Sequence, residues 1–237
     1  MRRGAKILVE GLDRLEAALR PGVTTLELDR IAEEVITGAG AIPSFKGYRG
    51  FPASICTSPN EVIVHGIPND DPLQEGDIIS IDVGVFYEGL HTDSAWTFPV
   101  GEVDADTAKL LQVTEAALDA AVAQCEPGKR IGDVGAAVEQ VVEAAGYGLV
   151  REYVGHGVGR KLHEDPQIPN YGPPGRREAL RPGMTLAIEP MVNLGTGWTE
   201  PLDDGWTVVT ADGSLSAHFE HTVAVTDLGH EILTLRP

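Results

Sequence analysis

Two stretches of this chain repeat each other at long range, and that repetition restricts the fold more than any other feature of its 237 residues. Arg20-Pro21-Gly22 is matched 106 positions on by Glu126-Pro127-Gly128, and each Pro-Gly opens a segment with helical apolar spacing. The first carries Leu28, Ile31, Ala32, Val35 and Ile36 and runs out at Gly38 and Gly40. The second carries Val134, Ala137, Val138, Val141 and Val142 and stops at Gly146. A stripe at i, i+3, i+4 and i+7 followed by glycine predicts an amphipathic helix with a C-terminal stop. At an offset of 107, the segment from Leu73 through Gly76 to Ile81-Asp82 aligns with that from Leu180 through Gly183 to Ile188-Glu189. Each reads as a glycine turn entering a strand that ends on a carboxylate. A second carboxylate opens a further strand in each half: Asp93 before Ser-Ala-Trp-Thr-Phe, and Glu220 before His-Thr-Val-Ala-Val.

Two related halves, each giving two acids from adjacent strands, predict a pseudo-two-fold arrangement with four carboxylates meeting at its centre. Leu8, Leu12 and Leu15 belong to a further helix at 4–19, and Leu110, Leu111, Ala117, Leu118 and Ala121 to another, with Asp104 or Asp106 as its cap. The expectation is an α+β chain forming one domain over 1–237, with pseudo-repeats at approximately 20–102 and 126–231. Helices would cover one face of a curved, mostly antiparallel sheet.

Charge and composition remove several functions. Acidic residues outnumber basic ones 36 to 18, for a net charge of −18, so a specific nucleic-acid partner is not expected. The apolar fraction of 42% supplies a core, yet no run reaches the roughly 20 residues of a membrane helix. The basic start is broken by Glu10, Asp13, Arg14 and Glu16, which leaves no signal-peptide core. Cys56 and Cys125 form no CxxC pair, which suits a reducing cytoplasm. Arg176, Arg177 and Arg181 read as a solvated turn rather than a docking patch.

The chemistry lies in the acids. With a period of two, Ile79, Ile81, Val83 and Val85 share one strand face and Asp82 the other. Glu189 is likewise set in an apolar run. Buried carboxylates are costly unless neutralised, and few lysines or arginines lie near these segments, so a metal is the better partner. The Gly155-His156-Gly157-Val158-Gly159 loop and the following His163 add imidazoles; the loop lacks the Lys-Ser/Thr of a phosphate-binding turn. His65, taken alone, reads as structural. Four carboxylates balance two divalent ions, with a histidine to complete the set. Oxygen-rich ligation favours Mn²⁺, Fe²⁺ or Co²⁺. Paired ions roughly 3.5–4 Å apart acidify a shared water, which predicts hydrolysis of a carbonyl or phosphoryl bond.

The motifs PSFKGYRGFPASICTSPNEVIVHGIP, GDIISIDVG, HTDSAWTF, GHGVGRKLHEDP, IEPM and SAHFEHT, in this order, resemble those of type I methionine aminopeptidases, which have the pita-bread fold. The resemblance covers nearly the whole chain. It implies removal of an initiator methionine from a peptide or nascent-protein N-terminus when the second residue is small. It implies two divalent ions (Co, Mn, Fe or Zn) held by Asp82, Asp93, His156, Glu189 and Glu220. Glu189 would also shuttle the proton, His163 would donate to the substrate carbonyl, and His65 would help position the scissile bond. Phe45, Tyr48, Phe51, Cys56, Leu162 and Trp206 would form the methionine pocket. A monomer with at most transient ribosome contact is expected. The 26 residues from His163 to Glu189 leave no room for the helical insert of type II enzymes, and no zinc-finger extension is expected. Three positions depart from the family pattern: Phe45 for a common cysteine, Thr92 for a glycine and His218 for a glutamine. Two alternatives stand beside this reading: a peptidase of the same fold that cuts before proline, and a non-catalytic binding protein, which would be expected to lack ligands.

Overall fold

The computed structural model describes residues 1–236. Helix α1 spans Arg2–Ala18 and buries Gly4, Ala5, Leu8, Gly11, Leu12 and Leu15. It starts two residues before the expected boundary at 4, because the Met1 carbonyl already accepts the Ala5 N–H at 2.8 Å. It stops before Arg20, which the following Pro21 keeps out of helical geometry. Helix α2 (Thr25–Gly38) is capped by Thr24, whose side chain accepts the Glu27 N–H at 3.1 Å. Helix α3 (Ala105–Val122) is capped by Asp104, which accepts from Thr107 N at 2.7 Å. Helix α4 (Ile131–Ala145) ends on Gly146 at φ 76°, the left-handed residue that closes a helix at little cost. Helices α2 and α4 begin 106 positions apart, and the strands Ile78–Tyr87 and Thr185–Ile188 begin 107 apart. The exposed turn with Arg176, Arg177 and Arg181 lies in the loop before the second of these strands.

Among the described residues all strand pairs are antiparallel, and the sheet is divided into four hydrogen-bonded pieces. The first half is dominated by the long hairpin Ile78–Tyr87 with Leu90–Pro99. The second half is dominated by a five-stranded piece containing Gly155–Gly157, Thr185–Ile188 and His221–Thr226. Each helix pair packs on its own half. Leu8, Leu12 and Leu28 of α1 and α2 meet Ile79, Ile81, Val83 and Val85, the strand face that the period of two assigns to the core. Leu110, Leu118, Val134 and Val138 of α3 and α4 meet Leu186, Ile188 and Val223. Trp96 packs against both cores. Each such buried Leu or Ile side chain contributes about 1.5–3 kcal/mol, so every helix is held mainly by its apolar stripe.

The free edge of the strand Leu90–Pro99 meets the segment 218–222 along a polar seam. Ser94 Oγ donates to the Glu220 carbonyl at 2.6 Å, and Glu220 N donates to the Ala95 carbonyl at 2.8 Å. Thr222 Oγ1 accepts from Asp93 N and donates to the Asp93 carbonyl. Thr97 Oγ1 does the same for His218. Two strands from distant parts of the chain are thus locked in register where the acids lie.

Candidate metal centre and its pocket

Register places the acids. In the hairpin, Asp82 pairs with Ala95 and Asp93 with Gly84, so both carboxylates sit on the face opposite α1 and α2 as diagonal neighbours, two rungs apart. His221 pairs with Ile188, which sets Glu189 and Glu220 side by side just beyond their strands. His156, in Gly155–Gly157, pairs with Ala187 of the same piece. The ligating atoms of Asp93, His156 and Glu220 lie within 4.8 Å of one another. Glu189 Oε1 is 3.5 Å from His156 Nε2, and Asp93 Oδ2 is 3.9 Å from it. Asp82 completes the group, and all five residues line one cavity of about 150 Å³.

The arrangement calls for cations. Asp82 Oδ1, Asp93 Oδ1 and Glu220 Oε1 are buried without a hydrogen-bond partner. No Lys or Arg among the described residues pairs with these carboxylates. Burial drives the carboxyls of Asp93, Glu189 and Glu220 well above their usual range, and mutual repulsion adds to it. Burial also pushes Asp82 up to about 7, opposed by a hydrogen bond with Asp93. His156 sharpens the point. Its Nδ1 lies 2.9 Å from the Gly157 carbonyl, which only accepts, so Nδ1 carries the proton and Nε2 presents a lone pair. A lone pair facing carboxylate oxygens is repulsive unless a cation stands between them. The donor set therefore fits divalent metal, with oxygen atoms in the majority and one imidazole nitrogen.

Beside the acids, Phe45, Tyr48, Phe51, Cys56, Leu162 and Trp206 line the same cavity, together with His65 and His163. Phe45, Phe51, Cys56 and Leu162 are buried in one apolar cluster, with Tyr48 and Trp206 packed against it. Phe51 meets Trp206 edge to face at 5.1 Å. His65, at φ 60°, stands edge-on to Tyr153 and Trp206. His163 stacks on Tyr48 and lies 4.2 Å from the His156 ring. Burial and the nearby carboxylates push the Cys56 thiol far up, so it is a wall of the pocket rather than a nucleophile. Every site residue expected from the sequence is gathered in this one place.

The departures fall in different settings. Phe45 is in the pocket. Thr92 faces away from the acids, buried over Gly4 of α1. His218 is buried with Nε2 at 3.8 Å from Glu189 Oε2 and no partner of its own. Three contributors escaped the sequence reading. Arg49 lines the cavity mouth. Asp29 of α2 accepts Ser54 N and Ile55 N at 2.8 and 3.0 Å, anchoring the segment before Cys56. Gly84 lies under Phe45, where a Cβ would stand 2.7 Å from both Phe45 Cε1 and Ser44 Cβ. Two of the three left a signal: Asp29 is an acid inside the α2 stripe, and Gly84 a glycine inside an apolar strand on the Asp82 face.

The sequence profile of metallopeptidase family M24 matches residues 1–227. Methionine aminopeptidase 1 of Bacillus subtilis is 53% identical over 234 residues, covering 99% of this chain and 94% of that protein. The crystal structure of methionine aminopeptidase from Rickettsia prowazekii superposes with a TM-score of 0.98 at 45% identity, covering 99% of this chain and 95% of that one. The prolidase of Pyrococcus furiosus shares the fold alone, with a TM-score of 0.82 at 22% identity over 100% of this chain and 63% of its own. The pita-bread architecture implied by the motifs is that of these structures. With its acids and histidine gathered as a metal site and its sequence matched from end to end, the chain belongs to metallopeptidase family M24.

Proposed function

We propose that the chain is a methionine aminopeptidase that releases N-terminal methionine from peptides and nascent proteins whose second residue is small. One observation carries this reading: a partnerless carboxylate cluster and a closed apolar pocket share a single cavity. The relatives named as methionine aminopeptidases, near 50% identity over their full length, support it. Asp82, Asp93, His156, Glu189 and Glu220 would hold two divalent ions, of Co, Mn, Fe or Zn. When bound, such ions polarise a carbonyl oxygen and lower the pKa of water.

The remaining work falls to the side chains. Phe45, Tyr48, Phe51, Cys56, Leu162 and Trp206 enclose the methionine side chain, whose flexible thioether packs well on aromatic edges. Glu189 takes a proton from the attacking water at a carboxylate oxygen and returns it to the leaving amine. His163 donates a hydrogen bond to the carbonyl oxygen of the first residue, a bond that strengthens as charge develops there. His65 contacts the substrate beside the scissile bond and steadies the departing nitrogen. An open groove along Arg49, Gly155, Arg160 and Lys161 leaves room for the rest of the peptide. The chain would act as a single catalytic domain and a monomer, in the cytoplasm, with transient ribosome contact. No helix of the described residues is long and apolar enough to cross a membrane.

The test is release of methionine from Met-Ala-Ser but not from Met-Arg-Ser, with added Co²⁺ or Mn²⁺ and an Ala-Pro peptide as control. Absence of metal-dependent turnover would contradict the reading, and cleavage of the Ala-Pro peptide alone would replace it with a proline-directed peptidase.

A further inference from the structure

His163 is held by one polar contact whose direction can be worked out. Its Nδ1 lies 2.9 Å from the Tyr48 hydroxyl, across 115 residues of sequence, and the two rings stack at 5.3 Å with 28° between planes. Tyr48 is itself rigidly placed at the start of the short turn Tyr48–Gly50. Its N–H donates to the Phe45 carbonyl and its carbonyl accepts from Phe51 N, both at 2.9 Å, while Gly47 N bonds Phe51 O at 2.8 Å. The Tyr48 hydroxyl has no other partner among the described residues, and neither does His163 Nε2.

A phenol is a strong hydrogen-bond donor, and an unprotonated imidazole nitrogen is a far better acceptor than a phenol oxygen. The contact is therefore O–H to Nδ1. A nitrogen that accepts a hydrogen bond carries no proton, so the His163 ring held by the hydroxyl at 2.9 Å is neutral. A neutral imidazole carries one N–H, and the bond at one nitrogen decides where it sits. With Nδ1 occupied as an acceptor, the proton belongs on Nε2.

We propose that Tyr48, besides walling the pocket, is a positioning residue for His163: its hydroxyl fixes the tautomer in which Nε2–H is free to donate to the substrate carbonyl. The alternative tautomer would present a lone pair to the carbonyl oxygen and oppose the charge that grows there. This proposal rests on the reading of His163 as the carbonyl donor.

The experiment is ¹⁵N NMR of the imidazoles in the Zn²⁺-loaded chain, with the His163 signals identified by their loss in His163→Gln. Wild type is expected to show an unprotonated Nδ1 and a protonated Nε2. Tyr48→Phe keeps the ring and the pocket wall. It should release His163 into a mixture of tautomers and lower kcat on Met-Ala-Ser about tenfold, the worth of one neutral hydrogen bond, with KM within about twofold. A proton on Nδ1 in wild type overturns the proposal, as does a His163 tautomer unchanged by Tyr48→Phe. A tautomer lost in Tyr48→Phe with kcat intact overturns the role of His163 instead and leaves the hold of Tyr48 standing, so the two failures are told apart.

Discussion

Removing divalent ions should make the fold lose stability as pH rises, the reverse of ordinary acid denaturation. The carboxyls of Asp82, Asp93, Glu189 and Glu220 are all raised by burial, Asp82 to about 7. In the unfolded chain such acids titrate near 4. Because the folded values lie above the unfolded ones, the metal-free native state binds the extra protons between them. Its stability is then fully present below about pH 4 and is lost as pH rises through about 7. For Asp82 alone the difference is about three units, or about 4 kcal/mol, and about two of those units fall between pH 5 and 8. A chain of 237 residues has an unfolding entropy of about 0.5 kcal/mol/K, so roughly 3 kcal/mol in that window moves Tm by about 5 °C. Bound ions hold the carboxylates ionised and remove this slope. The assay is Tm by scanning calorimetry from pH 5 to 8, with chelator and with excess Mn²⁺. The gap between the curves should widen by at least about 5 °C towards pH 8. Parallel curves, or a gap that narrows with rising pH, would refute the argument that these acids are destabilising without cations.

Three substitutions probe the residues around the acids. Glu189→Gln should lower kcat for methionine release from Met-Ala-Ser by about 10²–10⁴, and a wild-type rate would remove its proton-transfer role. His163→Ala should lower kcat by roughly 10²–10³, whereas an effect confined to KM would count against a carbonyl donor. Gly84→Ala puts a methyl where Phe45 and Ser44 already stand, at 2.7 Å. It should cost about 1–3 kcal/mol, read from the urea midpoint, and raise KM for methionyl peptides as Phe45 shifts into the pocket. An unchanged KM would mean that Phe45 does not shape the site.

Much of the site was legible because its acids break strong patterns. Asp82 interrupts an otherwise apolar strand, and Glu189 does the same 107 positions on. The duplication also pointed to Asp93 and Glu220; Glu220 does stand just before its strand, His221–Thr226, but Asp93 lies inside Leu90–Pro99 rather than at its entrance, because the hairpin pairing starts at Leu90. His65 shows where local reading fails: among Val62, Ile63 and Val64 it looks structural, and only the fold brings it to the cavity with Trp206. The Tyr48–His163 bond and the Gly84–Phe45 contact join residues far apart in sequence, and no periodicity records such a pairing. The start of α1 was missed because backbone bonding to Met1, not an apolar side chain, sets it. The short strands, such as Cys56–Pro59 and Met191–Asn193, are too brief for a period of two to register, and their partners define them.

The central claim is that acids from both parts of the chain jointly hold a pair of divalent ions. Anomalous diffraction from crystals grown with Mn²⁺ tests it most directly. Two strong peaks among Asp82, Asp93, His156, Glu189 and Glu220 are the predicted result. Density for the side chains around water alone, with no anomalous peak there, would contradict it.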